Sequence, residues 1–212
     1  AGLTNQLVLV RSKDGKLTAD KRIDMGQIAF ALDPAGRVLV AYNDAANKLY
    51  GFIAKGSAPA KVLEIGSGVP SRACLTATRA WVDPAEGDDI ASFDEAGSKD
   101  HELPGHDLLG CTAKAALLHK RGAAHFTVCA EECRQAQLQG MRPARVATIA
   151  GDYVVGIAVR RNVIGVWRER GTPVYFGIPN ELRPILATSD GKVIDVIADS
   201  DAGVVIVRLP VR

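Results

Sequence analysis

Residues Ala147 to Gly177 read ATIAGDYVVGIAVRRNVIGVWRERGTPVYFG, and the fold of the chain turns on this stretch. Arg145 to Ile149 alternate as a first strand, Gly151-Asp152 turn the chain, and Tyr153 to Val159 form a second run rich in β-branched residues. Arg161-Asn162 turn it again, Val163 to Arg168 form a third strand, Gly171 to Pro173 a turn, and Val174 to Ile178 a fourth strand. β-branched and aromatic runs separated by Gly, Asp, Asn and Pro are the chemistry of short strands and tight turns. The stretch is therefore a small antiparallel meander. One such sheet is half-exposed and marginal alone, so several must stack.

The rest of the chain reads as variants of this unit. Leu32-Asp-Pro-Ala-Gly-Arg-Val-Leu-Val, Leu75-Thr-Ala-Thr-Arg-Ala-Trp-Val, Cys111-Thr-Ala-Lys-Ala-Ala-Leu-Leu, Ala147-Thr-Ile-Ala-Gly-Asp-Tyr-Val-Val and Ala187-Thr-Ser-Asp-Gly-Lys-Val-Ile share a small or apolar residue, a polar turn and an apolar run. Their starts, at 32, 75, 111, 147 and 187, are spaced by 43, 36, 36 and 40 residues. The first repeat runs from Gln27 to Gly66, with strands at Ile28 to Leu32, Arg37 to Tyr42, Lys48 to Ile53 and Lys61 to Ile65. The second, Val69 to Gly105, has strands at Arg72 to Thr76, Arg79 to Val82 and Ile90 to Phe93, with an acidic loop from Asp83 to Asp89. In the third, His106 to Gln139, Thr112 to His119 and Ala130 to Gln139 are rich in helix formers. Strands are expected there nonetheless, because Thr127-Val128-Cys129 keeps the register and tertiary context overrides propensity.

The ends complete the pattern. Gln6 to Arg11 and Leu17 to Ile23 resemble an outer strand pair, while Ile185 to Ala187, Lys192 to Ala198 and Val204 to Leu209 supply three strands of a last unit. Pairing of Leu17 to Ile23 with Val204 to Leu209 would close a ring and leave no free sheet edge. The alternative is a partial set of units that assembles with others.

A period of about 40 residues with four strands per unit resembles the blades of β-propellers. The resemblance spans nearly the whole chain and rests on spacing: Trp81-Val82 and Trp167-Arg168 are not the Trp-Asp signature, and there is no Gly-Gly pair of the kelch type. It implies a single all-β domain over residues 1–212, built of about five four-stranded antiparallel blades or of part of a larger propeller. It also implies that function sits on the loops of one face or at the central channel. Propellers host both enzymes and binding modules.

The four cysteines, Cys74, Cys111, Cys129 and Cys133, allow three pairings. Cys129 with Cys133 would close a short hairpin and Cys74 with Cys111 would join neighbouring repeats; disulfides of this kind belong to an extracytoplasmic chain, secreted or periplasmic. Zinc is the rival, with His125 just before Cys129, but paired C-x-x-C elements are absent. The start, Ala1-Gly2-Leu3, fits signal-peptidase processing and an arbitrary chain boundary equally. No apolar run approaches the roughly 18 to 20 residues of a membrane span.

The net charge of +2 selects no class of partner. Asp83, Glu86, Asp88, Asp89, Asp94, Glu95, Asp100, Glu102 and Asp107 form an acidic stretch whose oxygens would suit calcium, although the spacing lacks a regular D-x-D-x-D loop and a solvated loop is the plainer reading. His101 and His106, beside Glu102 and Asp107, have the makings of an acid-base pair, but no H-E-x-x-H, G-x-S-x-G or phosphate-binding glycine loop accompanies them. Arg142, Arg145, Arg160, Arg161, Arg168 and Arg170 form a basic counterpart, with Tyr153, Trp167, Tyr175 and Phe176 between them. That polarity suits docking of proteins or subunits rather than nucleic acid.

These readings favour a noncatalytic binding or scaffolding propeller with a loop face for a protein or carbohydrate partner and with homo-oligomer or further-blade assembly open to it. Asp88, Asp89, His101, His106, Arg160 and Arg161 are the candidate contact residues, and no catalytic residue or resident cofactor is assigned. The alternative is a metal-assisted hydrolase or lyase working from residues 83–107. Phe30, Leu39, Tyr50, Trp81, Val154, Val166, Trp167 and Val205 are expected to be buried between stacked sheets.

Overall fold

The computed structural model describes residues 5–13, 16–33, 35–55, 61–85, 89–123, 125–137, 146–150, 153–158, 163–168, 174–179, 181–189 and 192–210. Among the described residues there is no helix, and the strands fall into two compact units, Ala1–Gly105 and His106–Arg212.

The first unit opens with a hairpin of β1 (Asn5–Lys13) and β2 (Lys16–Met25), a two-stranded sheet. A four-stranded sheet follows, with β3 (Ile28–Leu32), β4 (Arg37–Asn43), β5 (Lys48–Lys55) and β6 (Leu63–Ser67) paired in chain order. The next sheet pairs β7 (Pro70–Leu75), β8 (Ala80–Pro84), β9 (Ile90–Phe93) and β10 (Lys99–Leu103) in the same way.

The second unit continues the pattern. β11 (His106–Cys111), β12 (Ala116–Lys120), β13 (His125–Cys129) and β14 (Cys133–Gln137) form one meander. β15 (Val146–Ala150), β16 (Tyr153–Ala158), β17 (Val163–Arg168) and β18 (Val174–Gly177) form the next. β19 (Arg183–Ser189), β20 (Val193–Ser200) and β21 (Gly203–Pro210) form a three-stranded sheet. All ladders are antiparallel, as short turns between successive strands require. The helix-forming composition after Thr112 yields to the register: β12, β13 and β14 pair in one ladder, and Leu117 and Leu118 of β12 are both buried, one on each face of the sheet.

The turns explain the regularity. Asp33, Asp44 and Asp94 each open a hairpin in which the backbone N–H of the residue four later (Arg37, Lys48, Ser98) donates to the Asp carboxylate, at 2.8, 2.9 and 2.8 Å. The third residue after each Asp is in the left-handed region, with φ of +76° at Gly36, +61° at Asn47 and +92° at Gly97, which is where Gly and Asn are tolerated. The recurrence of Asp-x-x-Gly or Asp-x-x-Asn is thus a turn signature.

Sheets stack within each unit. In the first, Leu39, Ala41, Leu49 and Ile65 of one sheet meet Leu75, Ala80, Val82 and Phe93 of the next. Approach is close: a Cβ at Gly51 would lie 2.8 Å from Cζ of Phe93. In the second unit Val155, Ile164, Val166 and Ile178 pack with Ala187, Ile194, Val196 and Leu209, with Phe176 and Val207 against them.

Of the side chains expected inside, Leu39, Trp81 and Val166 are buried and Tyr50 is half-buried. The Val154 and Trp167 side chains lie outside the described residues. Two expectations are corrected. Phe30 is 64% exposed, because the strand period of two turns Ala29 and Ala31 toward β7 and sends Ile28, Phe30 and Leu32 to the other face. Val205 is also exposed, in the strand that ends its sheet among the described residues.

All four cysteines are oxidised. Cys129 and Cys133 face each other across the β13–β14 hairpin and are disulfide-bonded, with Cα atoms 4.0 Å apart. Cys74 and Cys111 are disulfide-bonded as well, so no thiolate is left for zinc.

Leu39→Ala is expected to destabilise the protein by about 2 to 5 kcal/mol in denaturant titrations. Phe30→Ser should stay within about 0.5 kcal/mol of the wild type. Denatured, nonreduced protein should show no thiol reactive toward Ellman's reagent, and two thiols after mild reduction would mark whichever bridge is the more accessible.

Candidate binding surface

Both ends of the strands in the first unit are tied, by different means. At one end Arg37, itself buried, is the tie. Its Nε donates to Asp33 Oδ2 at 2.6 Å, its Nη1 to Glu95 Oε1 at 3.0 Å and its Nη2 to the Thr76 carbonyl at 2.6 Å. One guanidinium thus joins the β3–β4 turn to the β7–β8 and β9–β10 turns of the adjacent sheet. Its planar fork of donors makes Arg the residue for this task.

The opposite end carries the loops that lead from second to third strands and from one sheet to the next. Here Gly26 N donates to the Asn43 carbonyl (2.8 Å), Gln27 N to Asn43 Oδ1 (2.7 Å), and Asn43 Nδ2 to Asn47 Oδ1 (3.1 Å). Gly68 N then donates to the Asn47 carbonyl (2.9 Å), and Ala85 N to the Val69 carbonyl (2.6 Å). Asn43 is buried and does for these loops what Arg37 does for the turns. Beside it the rings of Tyr42 and Tyr50 stack with centroids 5.4 Å apart, and the Tyr50 hydroxyl donates to Asp44 Oδ2. Burial and the Asp44 carboxylate hold both tyrosine hydroxyls above their ordinary range, so they remain donors at neutral pH. Ala45, Ala46, Asn47, Lys48 and Asp89 are exposed on this end.

The expected contact residues are distributed as follows. Asp89 is exposed at the close of the β8–β9 connection. Asp88, Arg160 and Arg161 lie outside the described residues, and so does the side chain of His101, in β10. His106 is buried, with Nε2 3.5 Å from Thr127 Oγ1. Asp107, its neighbour in β11, is paired instead with Arg121 at 2.8 Å. Successive residues of a strand point to opposite faces, so His106 and Asp107 cannot form an acid-base couple.

The acidic stretch is divided in the same way. Asp83 is buried in β8, Asp94 accepts from its own turn, Glu95 accepts from Arg37, and Asp107 accepts from Arg121. These carboxylates serve separate structural partners. Among the described residues no group of three or more His, Cys, Asp or Glu side chains is placed to hold a metal ion. Arg37 and Asn43 were the residues missed from composition; the Asp-x-x-Gly-Arg order at 33–37 was the available signal for the first.

No protein-family model matches the chain, and no curated protein matches it by sequence. Solved structures do. A catalytically inactive virginiamycin B lyase from Staphylococcus aureus with quinupristin superposes with a TM-score of 0.57 at 13% identity, over 98% of this chain and 75% of that one. Hsv2 from Kluyveromyces lactis gives 0.61 at 12% identity over 86% and 62%, and a nidogen/laminin complex 0.50 at 11% over 94% and 87%. The fold is that of a β-propeller. At such identities the likeness establishes the blade architecture and leaves the chemistry to the residues of this chain. Each four-stranded sheet is a propeller blade, and the loops tied by Asn43 lie at one end of the blades of the first unit.

The Asp turns predict an acid limb. The backbone N–H groups of Arg37, Lys48 and Ser98 are the main influence holding Asp33, Asp44 and Asp94 below the ordinary carboxylate range. A carboxyl whose folded pKa lies below its unfolded value, about 3.9, stabilises the fold above that pH and loses the contribution as pH falls through the folded value. Thermal midpoints should therefore drop below about pH 4. The Asp44→Asn, Asp94→Asn double variant should start lower at neutral pH and show a shallower acid limb; an acid limb of unchanged depth would assign it to other groups.

Proposed function

We propose that this chain is a noncatalytic binding or scaffolding propeller that presents a loop end of its blades to a protein or carbohydrate partner. The observation that carries the reading is the loop end of the first unit, where loops from both blades are joined through Asn43, Asn47 and backbone hydrogen bonds while small and polar side chains stay exposed. A surface already held in one arrangement loses little conformational freedom on binding, which favours recognition.

The propeller fold is shared by a lyase and by a nidogen/laminin complex, so the fold by itself is neutral between the two classes. Among the described carboxylates of the acidic stretch, Glu95, Asp107 and Asp94 are bonded to Arg37, Arg121 and their own turn, which supports the binding reading. The paired cysteines support placing the chain outside the reducing cytoplasm, where disulfides persist.

Glycan and peptide arrays probed with labelled protein test this. Ligands recovered should bind the Ala46→Arg, Asp89→Arg double variant about tenfold or more weakly, a loss of about 1.4 kcal/mol, with the thermal midpoint unchanged. Equal binding by the variant would overturn the assignment of this face. A divalent-ion-dependent turnover lost in Asp89→Asn would replace binding by catalysis.

A further inference from the structure

Each four-stranded blade ends on an outer strand: β6, β10, β14 and β18. Edge strands are guarded by charges, bulges, prolines or short length, because an open row of N–H and C=O groups is a template for another strand. Three of the four carry charge. β6 contains Glu64, and its ladder with β5 shifts register between Leu49 and Tyr50. β10 contains Lys99, Asp100 and Glu102, and its ladder with β9 shifts between Lys99 and Glu102. β14 contains Arg134. β18 reads Val-Tyr-Phe-Gly, without a charge, and pairs with β17 from Val174 to Gly177 with no register shift. Among the described residues no strand pairs with its outer side.

The side chains match that open backbone. Phe176 is partly buried against the cluster that holds Val155, Ile164 and Val166. Val174, two residues away and so on the same face, is 54% exposed, and Tyr175 on the opposite face is 44% exposed. An incoming strand would therefore meet an apolar side chain on either side of the sheet. Pro173 and Pro179 bracket the strand in the sequence. Proline has no N–H to give to a ladder, so the accepting stretch is confined to Val174 to Ile178. The short length that keeps whole sheets from joining here leaves room for one short segment.

We propose that β18 accepts a short extended segment of another protein, apolar at alternate positions, as an added strand of its blade. The open N–H and C=O groups call for an extended backbone, which supplies the hydrogen bonds, while Val174 and Tyr175 select β-branched or aromatic residues on the two faces of the added strand. A folded second copy is the poorer occupant. An edge of four residues with two exposed side chains falls far short of the roughly 800 Å² per partner that a stable complex of two folded proteins buries. The inference does not depend on the loop-end reading, which concerns other residues in the first unit.

A phage-displayed library of random heptapeptides, selected on the full chain, supplies the probes, and the recovered sequences are tested as synthetic peptides. They should alternate apolar β-branched or aromatic residues with polar ones. Val174→Lys places a charge at a position already in solvent, so the thermal midpoint and far-ultraviolet spectrum should persist while peptide binding weakens about tenfold or more. Val174→Thr, which keeps strand propensity, should weaken it less. Methylating the amides of alternate peptide residues removes the donors of one edge at a time, so one of the two sets should abolish binding and the other leave it intact. Bound peptide should also slow amide exchange in β18. A library that yields no binder, binding indifferent to Val174→Lys, or equal tolerance of both methylated sets would each overturn the proposal. Peptides lost in the Ala46→Arg, Asp89→Arg variant but kept in Val174→Lys would do so in favour of the loop end. Sedimentation showing a dimer that Val174→Lys dissolves would do so by making a second copy the occupant.

Discussion

A four-stranded antiparallel sheet with apolar residues on both faces has to be covered twice, and the architecture of this chain follows from that constraint. An alternating strand cannot hide both of its faces by itself, so within each unit one sheet covers a face of the next. The first unit satisfies one such contact with Leu39, Ala41, Leu49 and Ile65 against Leu75, Ala80, Val82 and Phe93. The absence of a side chain at Gly51 lets Phe93 come within van der Waals reach of the backbone. Where the covering fails, apolar side chains meet water: Ile28, Phe30 and Leu32 on β3, Val204 and Ile206 on β21.

Stacking by apolar area alone does not fix how far one blade slides on the next, because the hydrophobic effect has no direction. Polar ties at the two strand ends supply it. Arg37 is buried and would be costly without its three partners, so the arrangement that satisfies it is the one in which the turns of adjacent sheets converge. Asn43 plays the corresponding part among the loops, where its amide both accepts from Gln27 and donates to Asn47. The loop end is consequently held by hydrogen bonds in one arrangement, on which the proposed recognition rests.

The candidate site was partly legible in the residues. Asp89 was expected on an exposed connection and is there, since Asp-rich segments between apolar runs are loops by turn chemistry. The pairing of His106 with Asp107 was not available to the fold, because adjacent strand residues face opposite ways and each found its partner across the sheet, Thr127 for one and Arg121 for the other. Of the acidic stretch, the described Asp83, Asp94, Glu95 and Asp107 lie on different strands and turns between β8 and β11, and Glu95 takes its donor from a residue distant in the chain, Arg37.

What the amino-acid order determined by itself is local and periodic. The alternation of β-branched runs with Asp, Asn, Gly and Pro set the strands, their antiparallel sense and the repeat of about 40 residues, and it did so even between 112 and 140, where propensity pointed to helix. The cysteines left three pairings open in the sequence, and the structure pairs Cys129 with Cys133 across the β13–β14 hairpin, the pairing that the short loop favoured. The tertiary structure alone decided which face of each strand turns inward. In β3 the small Ala29 and Ala31 face the neighbouring blade and the large Phe30 does not, because the space between closely stacked sheets admits the smaller pair. No count of hydrophobic residues in one strand contains that distance; it exists only once a second sheet is in place.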